Sequence, residues 1–176
     1  MRYLNKIVFI NSANIPYSEI EIDGNVHLIG DQGSGKSTLL RAILFFYNAN
    51  KTKLGIPREK KSFDDYYFTY QNSYIIYEVI KDEVPYCVLA YKVNGKVAFR
   101  FIDSGYKREL FIDDDNRAFE SWDHIRSALG RNIHYSSLVT GYDEFRRIIY
   151  GDNKALNPNF RKYALIESRQ FQNIPR

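Results

Sequence analysis

Apolar and polar positions alternate, or apolar residues run together, in several short blocks, and this pattern is typical of β-strands. Tyr17–Ile22 alternates, as a half-exposed strand does. Asn94-Gly95 is a strong signal for a two-residue hairpin between two later blocks. Because such short turns join consecutive blocks, the strands in the middle of the chain should pair antiparallel. The predicted strands are residues 3–10, 17–22, 26–29, 74–80, 86–91, 97–102 and 107–112.

Other segments have the spacing of helices. Residues 37–47 are apolar on nearly every side, with Arg41 as the exception, which predicts a core helix buried between layers. Thr140 to Asp143 resembles a capping box and should open a helix over 143–150, which Gly151 ends. Between these segments, residues 48–61 are polar, basic and broken by Gly55 and Pro57, so they are interpreted as a loop. The remaining predicted helices are residues 119–129, ended by Gly130, and about 160–167, opened by Asn157-Pro158.

One stretch carries specific chemistry. Gly30–Thr38 fits the phosphate-binding pattern G-x-x-x-x-G-K-[ST], between a predicted strand and a predicted helix. The glycines let successive backbone N–H groups turn toward an anion, and the helix start directs its unpaired N–H groups to the same place. Lys36 would reach the β- and γ-phosphates, and Ser37 would offer its hydroxyl to Mg²⁺. The alternative is a glycine-rich turn that binds nothing. The predicted contact residues are Gly30, Asp31, Gln32, Gly33, Ser34, Gly35, Lys36, Ser37 and Thr38.

Composition narrows the class of protein. The 176 residues are 44% hydrophobic, which is enough for one domain with a real core. One cysteine and three scattered histidines give neither a disulfide framework nor a metal-ligand spacing. No apolar run approaches the ~18 residues of a membrane span, and the N-terminus is not a signal peptide, so a cytoplasmic protein is expected. The net charge of +4 permits an acidic partner such as DNA.

The order of the elements resembles that of a known class. Two strands precede the loop strand, and an antiparallel meander follows the first helix, as in the N-terminal lobe of an ABC-type ATPase head. The early loop is similar to that of SMC-like proteins, within these to the MukB/MksF and JetC groups, the latter from the Wadjet anti-plasmid system. The residues that carry the resemblance are Gly30–Leu40, Phe63–Tyr67, Asn72–Glu78, Phe145–Gly151, Tyr163–Ser168 and Asn173–Pro175.

This resemblance implies an α/β P-loop fold, with the meander beside the loop strand and helix and with a helical C-terminal third. The ligand would be ATP with Mg²⁺. The sequence lacks the signature, the Walker B strand and the switch histidine of a complete head, so a piece of a longer chain is expected. Hydrolysis would then require the C-terminal lobe of the same head and a second head, as a homodimer in the ATP-bound state. DNA would be the parent protein's substrate, and no membrane is implied.

The resemblance also implies further site residues. Gln170 or Gln172 would be the Q-loop glutamine that touches Mg²⁺ and the attacking water, and Arg58 would reach the nucleotide; Lys36 completes the expected catalytic set. Each of the two glutamines and Arg58 has a plain alternative as a surface side chain. The basic loop over 48–61 could also meet DNA phosphates, in a salt-sensitive way.

Two other functions stay open. The first is a self-contained small P-loop enzyme, such as a nucleotide kinase, in which Asp113 or Asp114 after Leu110–Ile112 serves as the metal carboxylate. An acidic turn at a strand end is the simpler interpretation of those residues. The second is a related ABC ATPase of DNA repair or of a nuclease-coupled defence system.

Overall fold

The strands of the described residues form a single sheet. The computed structural model describes residues 1–22, 34–47, 63–151 and 157–165. The strands are β1 Arg2–Ser12, β2 Ile15–Glu21, β3 Tyr74–Lys81, β4 Val84–Val93, β5 Lys96–Ile102 and β6 Val139–Thr140. The helices are α1 Ser34–Phe46, α2 Phe63–Tyr67, α3 Trp122–Leu129 and α4 Tyr142–Ile149. The strand order in the sheet is β2-β1-β3-β4-β5-β6.

Three tight turns join β1 to β2, β3 to β4 and β4 to β5. The register pairs Ser12 with Ile15, Lys81 with Val84, and Val93 with Lys96, so each turn has two residues between its strands. Both residues of each turn have positive φ, which is the geometry that matches the twist of a β-hairpin. Asn94-Gly95 confirms the hairpin prediction. The other two turns consist of Ala13-Asn14 and Asp82-Glu83.

The predicted α/β class is wrong. All five strand pairs in the described residues are antiparallel. The structure is therefore a six-stranded antiparallel sheet with short helices, not an α/β P-loop fold with a helical C-terminal third. The predicted antiparallel pairing of the strands in the middle of the chain is confirmed. The predicted loop strand, residues 26–29, lies outside the described residues.

The predicted strand over residues 107–112 is also wrong. Arg108–Leu110 form a 3₁₀ turn, and Ile112 makes only an isolated bridge with Ala118. Leu110, Phe111 and Ile112 are all buried, because the segment folds onto the sheet instead of extending it.

Both faces of the sheet are covered. Beyond the β-bulge at Leu4–Lys6, odd-numbered apolar residues of β1 and β3, such as Phe9 and Tyr77, belong to a core shared with α1 and α4. Even-numbered residues, such as Val8 and Ile76, belong to a second core shared with α3 and Leu110–Ile112. We call these sides the α1 face and the α3 face. Because both are buried, β3 is nearly continuous in burial instead of alternating.

The C-terminal elements correct two boundaries. Thr140 does not cap a helix; it pairs with Ala98 in β6, and Gly141 with a φ of 92° precedes α4 instead. The capping-box prediction is therefore wrong, because an edge strand uses the threonine. The predicted helix after Asn157 begins where expected, but Pro158–Tyr163 is a 3₁₀ helix, and residues 166–167 lie outside the described part.

Candidate phosphate-binding site

Helix α1 begins inside the phosphate-loop motif. Its first residue is Ser34, three residues before the predicted start at Ser37. Lys36, Ser37 and Thr38 therefore all lie in its first turns. Ser37 is exposed and Lys36 is partly buried. The first turn contains no acidic residue, so no carboxylate of that turn offsets the positive end of the helix dipole. Residues 30–33 lie outside the described part of the chain.

Two tyrosines of α2 meet the start of α1 at Thr38. The Tyr67 hydroxyl donates a hydrogen bond of 2.6 Å to the Thr38 carbonyl oxygen. The Tyr66 hydroxyl lies 3.5 Å from Thr38 Oγ1. Thr38 is 4% exposed, so its side chain lies between α1 and α2 and not in solvent. Burial raises the pKa of Tyr67, which keeps its hydroxyl protonated as a donor at neutral pH.

Further tyrosines donate to carbonyl groups along α1. The Tyr77 hydroxyl of β3 donates to the Ala42 oxygen at 2.8 Å. Near the C-terminal end of the helix, Tyr142 donates to Phe45 at 2.6 Å and Tyr150 donates to Tyr47 at 2.9 Å. Carbonyls in the last turn of a helix have no partner within it, so the two final contacts cap α1. We refer to the four donors Tyr67, Tyr77, Tyr142 and Tyr150 as the tyrosine contacts of α1.

Aromatic packing holds α1 against the sheet. Phe45 stacks on Phe63 of α2 with ring centroids 4.4 Å apart, and Phe63 stacks on Tyr67 at 4.2 Å. Phe46 packs on Tyr77 at 4.7 Å. One face of α1, α2 and β3 therefore share a single aromatic cluster, which fixes the direction in which the helix start points.

The opposite side of α1 is open. Leu40 is 41% exposed and Leu44 is 38% exposed, one helical turn apart. The expectation of a core helix buried between layers is therefore wrong for this side of α1. It is confirmed for the side that carries Ala42, Phe45 and Phe46, which are buried.

The acidic turn Asp113–Asp115 lies elsewhere. Leu110–Ile112, which lead into it, pack on the α3 face, whereas α1 packs on the other side of the sheet. The Asp113 carboxylate accepts the backbone N–H groups of Asp115 and Arg117 at 2.8 and 2.9 Å, so it stabilises its own turn. The described residues contain no group of His, Cys, Asp and Glu side chains that could hold a metal ion. This placement gives no support to the alternative in which Asp113 or Asp114 binds the same Mg²⁺ as the Ser37 hydroxyl.

Several predicted site residues are not described. Arg58, Gln170 and Gln172 lie outside the described ranges, and their roles stay predictions. Sequence reasoning missed Tyr66 and Tyr67 as neighbours of the motif. The only signal was an aromatic cluster after the basic loop, and such a cluster does not indicate which helix it will contact.

The described residues define an antiparallel-sheet domain whose longest helix begins inside a phosphate-loop motif. Residues 10–172 match the profile of DUF3584, a family described as proteins of unknown function, and the chain belongs to this family. The family is associated with large SMC-like or RecF-type proteins. No curated protein matches the chain. None of the helices in the described ranges is long and apolar enough to cross a membrane.

Proposed function

We propose that this chain is the ATP-binding, N-terminal half of an SMC-like ATPase head that acts on DNA. The observation that carries the proposal is the start of α1 at Ser34, which puts Lys36 and Ser37 on the first turns of a helix without a carboxylate there. Family membership supports it, because the family is associated with large SMC-like proteins. The finer proposal is a relative of the MukB/MksF and JetC groups, with a role in plasmid defence or chromosome maintenance in the cytoplasm.

In this proposal the residues of the motif divide the work. Backbone N–H groups at the start of α1 bind phosphate oxygens, and the Lys36 ammonium neutralises charge on the β- and γ-phosphates. The exposed hydroxyl of Ser37 is the group that would hold Mg²⁺, which supplies further positive charge at those phosphates. Arg58 and either Gln170 or Gln172 would complete the nucleotide site.

Turnover would need groups from outside this chain. The C-terminal lobe of the same head and a second head would supply the signature and the metal carboxylate. The bound γ-phosphate would hold the two heads together, and its hydrolysis would release them. We therefore expect the chain alone to bind nucleotide and to hydrolyse little or none of it.

A titration with a fluorescent ATP analogue and Mg²⁺ tests the proposal. We expect Lys36→Ala to weaken binding at least about tenfold, because it removes a charge-assisted contact to the phosphates. Lys96→Ala is the matched control, since this lysine is exposed at the start of β5 and its loss should leave affinity unchanged. Equal affinity of the original chain and Lys36→Ala would overturn the proposal. Robust ATPase activity that disappears in Lys36→Ala would overturn the half-site part of it.

A further inference from the structure

A tyrosine outside the motif lies beside its last residue. The hydroxyl of Tyr66 is 3.5 Å from Thr38 Oγ1, which is the upper limit of a hydrogen bond. A phenol has one O–H to donate and lone pairs to accept, so this long contact leaves room for a shorter one with another group. The ring of Tyr66 is only partly buried, in contrast to its neighbour Tyr67, which is 0% exposed.

The direction of the Thr38 side chain places the Tyr66 hydroxyl near the N-terminal end of α1, where the proposed phosphate contacts lie. In a helix each Cα–Cβ bond tilts toward the N-terminus, so the side chain of Thr38 covers the turn that precedes it. That turn contains Lys36 and Ser37, on which the proposed phosphate contacts depend. A group that meets Thr38 Oγ1 therefore lies beside the turn whose N–H groups would face a phosphate.

The position of Tyr66 is fixed by its neighbours. Phe63 and Tyr67 of α2 are buried in the aromatic cluster with α1. Tyr66 packs edge to face on Tyr67, with ring centroids 5.1 Å apart. The ammonium of Lys92 on β4 lies 3.0 Å from the Asp65 carboxylate and ties the other side of α2 to the sheet. The phenol of Tyr66 is thus pre-positioned at the start of α1, and its binding to a ligand would require little reordering.

We infer that Tyr66 is a nucleotide-binding residue, whose hydroxyl donates a hydrogen bond to an oxygen of the phosphate nearest Thr38. The ligand class is a nucleoside triphosphate, and this inference rests on the proposed function. The assignment gives α2 a role in affinity as well as in packing: Tyr67 secures the helix backbone, and Tyr66 contacts the ligand.

Tyr66→Phe tests this role because it removes only the hydroxyl. We expect the affinity for a fluorescent ATP analogue with Mg²⁺ to fall about tenfold, as for the loss of a hydrogen bond to a charged group. The melting temperature of the nucleotide-free protein should stay the same, because the 3.5 Å contact contributes little. Tyr67→Phe is the structural comparison and should lower the melting temperature. Tyr70→Phe is the matched control, since Tyr70 is 62% exposed and should change neither quantity.

The outcomes separate this inference from the proposal beneath it. If Lys36→Ala abolishes binding and Tyr66→Phe binds as well as the original chain, the inference is wrong and the proposed function stands. If Tyr66→Phe weakens binding but also lowers the melting temperature as much as Tyr67→Phe does, the residue acts through structure and the inference is again wrong. If the original chain binds no nucleotide, both are wrong.

Discussion

The hydroxyl of Tyr77 provides a sharp test of how the sheet holds α1. Tyr77 is 0% exposed and donates to the Ala42 carbonyl at 2.8 Å, and Ala42 is also 0% exposed. Burial raises the pKa of Tyr77 well above its usual range, so the hydroxyl stays protonated and can donate at neutral pH. Tyr77→Phe removes only this hydroxyl and keeps the ring, whose centroid lies 4.7 Å from that of Phe46.

The expected cost follows from that geometry. A neutral hydrogen bond contributes about 0.5–1.5 kcal/mol to the free energy of unfolding. We expect the upper part of this range, because the buried Ala42 carbonyl loses a partner that water cannot replace. For a chain of this size, about 1 kcal/mol lowers the melting temperature by roughly 2–4 °C.

Urea unfolding followed by circular dichroism measures this loss. The matched control is Tyr70→Phe, because its ring is exposed and surface substitutions change stability by less than about 0.5 kcal/mol. The slope of free energy against urea should be the same for all three proteins, since none changes the surface exposed on unfolding. If Tyr77→Phe is as stable as Tyr70→Phe, the hydroxyl does not help to hold α1 and the reasoning is refuted.

Two further predictions concern the core and the buried tyrosines. Phe145→Ala should cost about 3–5 kcal/mol in urea unfolding, because its ring is buried and stacks on Phe99 at 4.1 Å; a loss below about 1 kcal/mol would contradict this packing. Burial raises the pKa of Tyr67 and Tyr77 above the value near 10 of the unfolded chain. Their contribution to the free energy of unfolding is therefore complete below about pH 10. Above that pH the free energy of unfolding falls by about 1.4 kcal/mol per pH unit for each tyrosine. Urea unfolding between pH 8 and pH 11 should show this fall. If absorbance at 295 nm shows that all tyrosines of the folded protein ionise near pH 10, the prediction is wrong.

The sequence predicted individual strands better than their arrangement. β1, β3, β4 and β5 lie where the apolar blocks are, and Asn94-Gly95 turns as its residue types require. The turn at Asp82-Glu83 has no glycine, so its tight geometry depends on the strands that pair on either side. The α/β class was wrong because it depended on the resemblance to an ABC-type head, whereas the pairing of β1 with β3, which are distant in sequence, decides the sheet.

The site was predictable only in its local part. The motif and the helix after it follow from Gly30–Thr38, and α1 begins within that stretch. The tyrosine contacts of α1 were not predictable, because Tyr67, Tyr77, Tyr142 and Tyr150 are dispersed along the chain and meet the helix only in the fold. Thr140 shows the same limit, since its pairing with Ala98 overrides its local capping pattern.

The tyrosine contacts make α1 a mechanical link between distant parts of the domain. Thirteen residues at a rise of about 1.5 Å each span roughly 20 Å from the N-terminal end of α1 to its C-terminal end. At the C-terminal end of α1, Tyr142 and Tyr150 hold the helix by its backbone carbonyl groups, in addition to the ring packing of Phe45 on Tyr142. An axial shift of α1 would have to carry α4 with it or break both bonds. A displacement of the N-terminal end of α1 would in this way arrive at the opposite end of the domain as a displacement of α4.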